Sequence, residues 1–328
     1  MTLPVVLVSH QPPEPIRDAF LGVLAGVADV VFLPELSETF RKDVLRTTRA
    51  VLTYHPIRDL GVDALQKLEN CGLMQCLTAG IDYLSFVDLP DHIAVAYNAG
   101  AYAEPMAEHV VAMALSAAKR LAGEQQLMRQ GEFNQFVPTK RIAGMTCGII
   151  GYGETGQEVA RIMRALGMNI LAINRSGKTD EPVEFIGTLA DVDRVLAASD
   201  VVVITLALTK KTERLICAEQ LSKMKSGAIL INVARGEIVD EDNLYEHLVT
   251  NPGFTACLEA WWIEPIRHGR FETAHPFLDL PNVIASPHNS AMTDGALITA
   301  AERGAQNVLR FLRGQLPRFV AGDDVLMQ

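Results

Sequence analysis

The chain is 328 residues long and 49% hydrophobic, enough to fill about two domains of roughly 100 to 200 residues each. Its 29 Lys and Arg stand against 39 Asp and Glu, a formal charge of −10 without long runs of one sign, which opposes binding to nucleic acid or to an anionic membrane surface. Five cysteines, Cys71, Cys76, Cys147, Cys217 and Cys257, lack the paired spacing of a zinc or redox motif and point to a reduced, cytoplasmic setting.

The opening Met1 to His10 has no basic leader and turns polar at Ser9, and no run of about 18 apolar residues follows, so a soluble protein is expected. Short apolar runs then alternate with helix-length amphipathic stretches, the pattern of βα units around a parallel sheet. Val5 to Ser9, Val30 to Leu33, Ala50 to Thr53, Met74 to Leu77 and Ala94 to Tyr97 read as the strands of a first, smaller sheet. A helical pattern from Tyr102 to Ala122 presents a small-residue face with Ala107, Val110, Ala114 and Ala118, suited to its own core or to a second subunit. A second series of strands begins at Thr146 to Ile150 and continues through 169–173, 185–186, 201–205, 228–232, 254–258 and 283–285. The closing helix, expected from Thr293 to Leu312, has no strand after it and is expected to return to the first domain.

The stretch Gly151-Tyr152-Gly153-Glu154-Thr155-Gly156 sits directly after an apolar strand and opens an amphipathic helix. In that context Gly151 permits the tight turn, Gly153 lets backbone approach a pyrophosphate, and Gly156 lets helix and strand pack closely, with the N–H groups at Glu154 and Thr155 at the helix start. A dinucleotide is therefore the expected cofactor. About 20 residues further on, where an acid usually receives the adenosine ribose, the chain has Asn174, Arg175 and Ser176. Asn174 removes the repulsion, Arg175 can pair with a phosphate dianion and Ser176 can hydrogen-bond it, so NADP(H) is favoured, with NAD(H) possible.

Three later segments add chemistry: Asn232-Val233-Ala234-Arg235-Gly236, Glu259-Ala260-Trp261-Trp262-Ile263-Glu264-Pro265 and Ser286-Pro287-His288. Each follows a predicted strand at its C-terminal end, the edge where α/β sheets hold ligands. Reducing a ketone needs a proton donor, which a histidine can be near neutral pH; a carboxylate can orient it, and an arginine can fork to a carboxylate and a carbonyl oxygen. His288, Glu264 and Arg235 supply these types. The remaining histidines show no metal spacing, and no metal is expected. His109, beside Glu108 on the long helix, reads as structural.

With Thr78-Ala79-Gly80-Ile81-Asp82 and Ala107-Glu108-His109 before them, these motifs resemble, in order, those of the D-isomer-specific 2-hydroxyacid dehydrogenase family, glyoxylate/hydroxypyruvate reductases in particular. The resemblance implies an α/β fold of two doubly wound parallel-sheet domains, a Rossmann dinucleotide-binding domain (99–289) inserted into a flavodoxin-like substrate domain (1–98 and 290–328). It implies Arg235, Glu264 and His288 as the catalytic set. The backbone of Ala79 and Gly80 would bind the substrate carboxylate, with Tyr54, Tyr102 and Trp262 shaping the substrate pocket. Leu206, Thr212, Val233, Ala234, Arg235, Glu259 and His288 would join the glycine turn around the cofactor. A small 2-oxo or 2-hydroxy acid is the implied substrate, and a homodimer the implied assembly, with hinges near 98–101 and 289–293.

The chain departs from the family pattern in places. Glu259 stands where an Asp usually holds the nicotinamide amide, Asn98 to Tyr102 is one residue short, and Trp261-Trp262 is bulky. Formate or phosphite oxidation on the same fold and a dinucleotide-sensing corepressor are the rival readings; Glu264, where the formate branch has Gln, favours ketone–alcohol chemistry.

Overall fold

The computed structural model describes residues 2–84 and 86–322, and the last positions of the expected substrate domain, 323–328, lie outside them. The chain divides into two compact units, 1–102 with 292–328, and 103–291. Among the described residues no helix is long and apolar enough to cross a membrane.

The first unit begins with β1 (Val5–Val8), α1 (Glu14–Leu24), β2 (Asp29–Phe32), α2 (Glu38–Thr47) and β3 (Thr48–Thr53). It continues through the short helices α3 (Pro56–Leu60) and α4 (Val62–Leu65) to β4 (Leu73–Cys76) and β5 (Ala94–Ala96). All five strands are parallel, in the order β2-β1-β3-β4-β5, so the chain reverses its direction of winding between β1 and β3. The strands are covered on both faces, which is why Val6, Leu7, Val8, Ala50, Val51 and Leu52 are all fully buried and read as apolar runs rather than as alternation.

The second unit opens with α5 (Ala103–Lys119) and α6 (Leu121–Arg129), followed by β6 (Thr146–Ile150), α7 (Glu154–Ala165), β7 (Asn169–Ile173) and β8 (Phe185–Gly187). Then come α8 (Val192–Ala198), β9 (Val201–Ile204), α9 (Ala218–Lys223), β10 (Ile229–Asn232), α10 (Glu241–Thr250), β11 (Thr255–Leu258), α11 (Pro265–His268) and β12 (Val283–Ala285). The seven parallel strands run β12-β11-β10-β9-β6-β7-β8. Winding reverses between β6 and β9, which opens a crevice at their C-terminal ends, the place where such sheets take ligands. In α7 the buried positions Gly156, Val159, Ala160 and Met163 repeat at helical spacing and seat it against β6 and β7.

Two expectations change here. The long helix does not run through to Ala122: Arg120 adopts a left-handed backbone (φ 55°) that ends α5, and α6 starts in a new direction. Of the two readings of the small-residue face of α5, the structure takes the first: Ala107, Val110, Met113, Ala114 and Ala118 are buried in the unit's own core against α7, β10 and β11. The last helix, α12 (Ala296–Leu312), begins three residues later than expected, behind Gly295 at φ 78°. It returns to the first unit and packs on α1, β3 and β4. Its stripe of Ala300, Ala301, Gly304 and Ala305 permits close approach: a Cβ on Gly304 would lie 2.6 Å from the Leu77 side chain.

The segment 98–102 belongs to the first unit for a visible reason. Asn98 donates its backbone N–H to Thr78 O (2.9 Å) and its amide to Ala300 O (2.8 Å), and Tyr102 donates its hydroxyl to Leu77 O (2.9 Å). Arg303 of α12 reaches the carbonyls of Ala99 and Gly100. The crossing into the second unit therefore falls after Tyr102.

Candidate active site

The glycine turn sits at the winding reversal. Gly151 has φ 116°, and a Cβ there would lie 2.6 Å from the backbone carbon of Thr205 at the end of β9, while a Cβ on Gly156 would collide with the Gly151 carbonyl oxygen. Thr205 Oγ1 closes the junction by donating to that same carbonyl (2.7 Å). Around Gly153, the residue that caps α7, nothing lies within 4 Å of the Cβ position. Two glycines thus allow the backbone to close and the third leaves room for a ligand against the helix N-terminus, with Glu154 and Thr155 half-buried beside it. Leu206 is half-buried after β9. Thr212 is buried and committed to its own turn, donating to Ala207 O (2.7 Å) and accepting from Thr209 N (2.8 Å). Those bonds hold the 207–212 loop together.

At the end of β7, Asn174 does more than omit a charge. Its Oδ1 accepts from the N–H groups of Ser176 (3.1 Å) and Gly177 (2.7 Å), and its Nδ2 donates to Lys178 O (2.8 Å), an Asx-type turn completed by Gly177 at φ 65°. Arg175 and Ser176 are exposed on the loop so formed.

The three chemistry-bearing loops follow β10, β11 and β12, which are neighbours in the sheet. After β10, the buried Asn232 accepts from Ala234 N (3.1 Å) and donates to Arg235 O (2.8 Å), with Val233 and Ala234 buried below, so the backbone that presents Arg235 is held by its own strand end. After β11, Glu259 is fully buried; its Oε1 accepts from Ser290 N (2.8 Å) and its Oε2 has no hydrogen-bond partner. Glu264 accepts the backbone N–H of Trp261 (2.7 Å) and meets His288 Nδ1 at 2.7 and 2.8 Å. Because a carboxylate only accepts, Nδ1 of His288 carries the hydrogen, leaving Nε2 as the group that can exchange a proton with a substrate. His288 itself is left-handed (φ 51°), an unfavourable conformation for a residue with a side chain, held by the loops around it.

The charges act together. For His288, burial works hardest against protonation, yet the Glu264 hydrogen bond and the charges of Glu259 and Glu264 outweigh burial and Arg235, and its pKa is raised above the ordinary histidine value. Burial alone would push Glu264 up; the hydrogen bond and charge of His288, the Trp261 N–H and Arg235 bring its pKa below the ordinary value. Protonated His288 and ionised Glu264 therefore each favour the charged form of the other.

The other expected substrate residues are distributed differently. Tyr54 is half-buried, its ring 4.8 Å from that of His10, and Ala79 and Gly80 are half-buried in the loop after β4. Tyr102 is buried with its hydroxyl on Leu77 O. Trp262 is buried: it stacks on Phe277 (centroids 5.2 Å apart) and donates its indole N–H to Val239 O (2.8 Å). Reading the sequence also missed contributors. Ser286 bonds His109 through its hydroxyl (3.0 Å) and Leu258 O through its N–H (2.9 Å). Only the adjacency of Ser286 to Pro287-His288 could have hinted at it. Among the described residues no group of three or more His, Cys, Asp or Glu could hold a metal ion.

A dinucleotide fits what is present. The turn has an open approach at Gly153 above a helix N-terminus, and Glu259 retains an orphaned, buried acceptor oxygen in the loop cluster that carries His288. An amide N–H₂ group is the kind of donor such an oxygen lacks.

The chain is similar to known proteins. The chain is 31% identical over 246 residues to a hydroxypyruvate reductase of Thermotoga maritima, covering 74% of this chain and 78% of that one. It is 28% identical to a glyoxylate reductase of Thermofilum pendens, over 99% and 96% of the two chains. The crystal structure of a D-isomer specific 2-hydroxyacid dehydrogenase from Xanthobacter autotrophicus Py2, in complex with NADPH and MES, superposes with a TM-score of 0.81 at 25% identity, covering 98% of both chains. Residues 111–290, which hold the glycine turn and all three loops, match the NAD-binding domain of the D-isomer specific 2-hydroxyacid dehydrogenases. The chain belongs to that family of NAD(P)-dependent oxidoreductases, which interconvert 2-hydroxy and 2-oxo acids.

Proposed function

We propose that the protein reduces small 2-oxo acids of the glyoxylate and hydroxypyruvate type, preferring NADPH, with Arg235, Glu264 and His288 as its catalytic set. The observation that carries this reading is the His288–Glu264 pair in one charge cluster with Arg235. The nicotinamide, when bound, supplies the hydride. Gly151, Gly153 and Gly156, with the N–H groups at Glu154 and Thr155, would hold the pyrophosphate, Arg175 and Ser176 the 2′-phosphate, and Glu259 Oε2 the carboxamide. Val233 and Ala234 would back the nicotinamide.

Arg235 then orients the substrate by pairing with its carboxylate and carbonyl oxygen, and stabilises negative charge as it develops on that oxygen. The N–H groups of Ala79 and Gly80 would bind the carboxylate. His288 Nε2 delivers a proton to the oxygen while Nδ1 stays on Glu264, which keeps the ring oriented and its charge favourable. Because its pKa is raised, His288 keeps its proton to higher pH than an ordinary histidine; reduction falls as pH climbs through that raised value while oxidation, which needs a neutral imidazole, rises.

The relatives' names suggest the substrate size, and the loop at 174–178 supports NADPH. The reading also carries a cytoplasmic homodimer. Its surface is expected around α6 and the residues after it, where Leu121, Met128, Phe133 and Phe136 are exposed; light scattering of the purified protein tests this. The main experiment is turnover of glyoxylate, hydroxypyruvate, pyruvate and bulkier 2-oxo acids with NADPH and NADH, by the native protein and His288→Ala. Expected is reduction of the small acids, with a kcat loss of about a thousandfold or more in the variant. Cofactor binding without turnover of any acid would overturn the reading.

A further inference from the structure

Trp261 was conspicuous in the sequence only for its bulk. In the structure it is 4% exposed, and it is the residue at which the three loops meet. Its backbone N–H donates to Glu264 Oε1 (2.7 Å). Its indole N–H donates to the carbonyl of Ser286 (2.8 Å), two residues before His288. Its carbonyl carbon lies against Gly236, next to Arg235, so closely that no side chain could stand at 236. The ring is clamped edge-on by Phe271, with centroids 5.3 Å apart at 90°.

Each tie has a separate effect. The backbone N–H fixes one oxygen of the carboxylate that orients His288. The indole N–H fixes the chain just upstream of a left-handed histidine, a conformation that costs about 1–3 kcal/mol and persists only where surrounding contacts impose it. The bare Gly236 lets the Arg235 loop lie on the Trp261 backbone. We infer that Trp261 is a positioning residue that sets Arg235, Glu264 and His288 in register, its indole N–H holding the His288 loop against Glu264. No contact with substrate or cofactor is needed for this. The inference rests on the proposed roles of those three residues.

Ser286 is held from a second side by the His109 imidazole at its hydroxyl, and the charged groups acting on His288 are Glu264, Glu259 and Arg235. Removing the indole N–H leaves all four in place and releases only the carbonyl tie. The His288 ring should then meet Glu264 less consistently and lose part of what raises its proton affinity.

The test is Trp261→Phe in the full chain, read in two ways. Without substrate, NMR titration of the His288 ring should show its pKa moved down towards the ordinary value relative to the native protein. In turnover, kcat for 2-oxo acid reduction should fall about tenfold, the loss expected for one hydrogen bond, with its alkaline limb moved to lower pH and cofactor Kd unchanged. A folded variant with native His288 titration and native kcat would overturn the inference. Should Phe not fold, Trp261→benzothienylalanine, installed at that position alone, keeps the ring's shape and replaces its N–H with sulfur; the same two outcomes decide. The control is His288→Ala. If that variant turns over normally the proposed reaction roles fail, whereas the titration of His288 in Trp261→Phe still judges the positioning claim.

Discussion

The glycine turn after β6 and the three loops after β10, β11 and β12 lie at the same edge of one sheet, yet they are shaped by opposite means. The turn is made by missing side chains: Gly151 and Gly156 close it because any Cβ would strike backbone. The loops are made by side chains, Asn232 bonding its own loop and others reaching across sequence, Trp261 to Ser286, His109 to Ser286, and Glu259 to Ser290. A ligand approached by backbone N–H groups needs a surface with nothing in the way. A proton donor and an arginine need orientation, and orientation comes from many weak constraints applied together.

That contrast can be broken at its strongest point first. Gly156→Val should abolish dinucleotide binding and destabilise the second unit by several kcal/mol, because the clash is with backbone that cannot move aside. Calorimetric Tm and cofactor titration read it; native-like binding would show that the turn has slack. Glu264→Gln acts on the other kind of region. The amide keeps a hydrogen bond to His288 but loses the charge, so kcat for reduction should fall about ten- to a hundredfold, and its alkaline limb should move to lower pH since one of the charges that raise the His288 pKa is gone. A pH profile that stays in place would assign the titration to another group. The mildest change is Arg175→Ala, on the exposed loop at 174–178. It should weaken NADPH about tenfold and leave NADH nearly unaffected, and equal losses for both cofactors would contradict a phosphate contact.

The same contrast explains what could be read without a structure. The twelve strands among the described residues were visible as apolar runs, most plainly the central ones such as β1, β3, β9 and β10, which carry their burial in consecutive residues. Glycine spacing was visible because its constraint is local. Arg235, Glu264 and His288 were found as residue types in ordered motifs. Their supports were not, since the ties of Trp261 and His109 to Ser286 span 25 and 177 residues and leave no periodicity. The indole N–H of Trp262 finds Val239 O 23 residues back, a tie that its size alone does not signal. Asn174 was read for its missing charge, and its turn-building bonds became visible only with the backbone of 176–178 in place. The break at Arg120 carried no signal either, because left-handed arginine has no sequence mark comparable to glycine.

The left-handed backbone of His288 has a consequence for how this chain can change over generations. Glycine is the residue whose own preferences suit that conformation, so selection for stability alone would drift away from the imidazole that the proposed reaction needs. Random substitutions that tighten the fold and those that preserve turnover therefore pull against each other at this position. The surrounding loops are what allow the less comfortable residue to stay, and loosening them would expose the position to that drift.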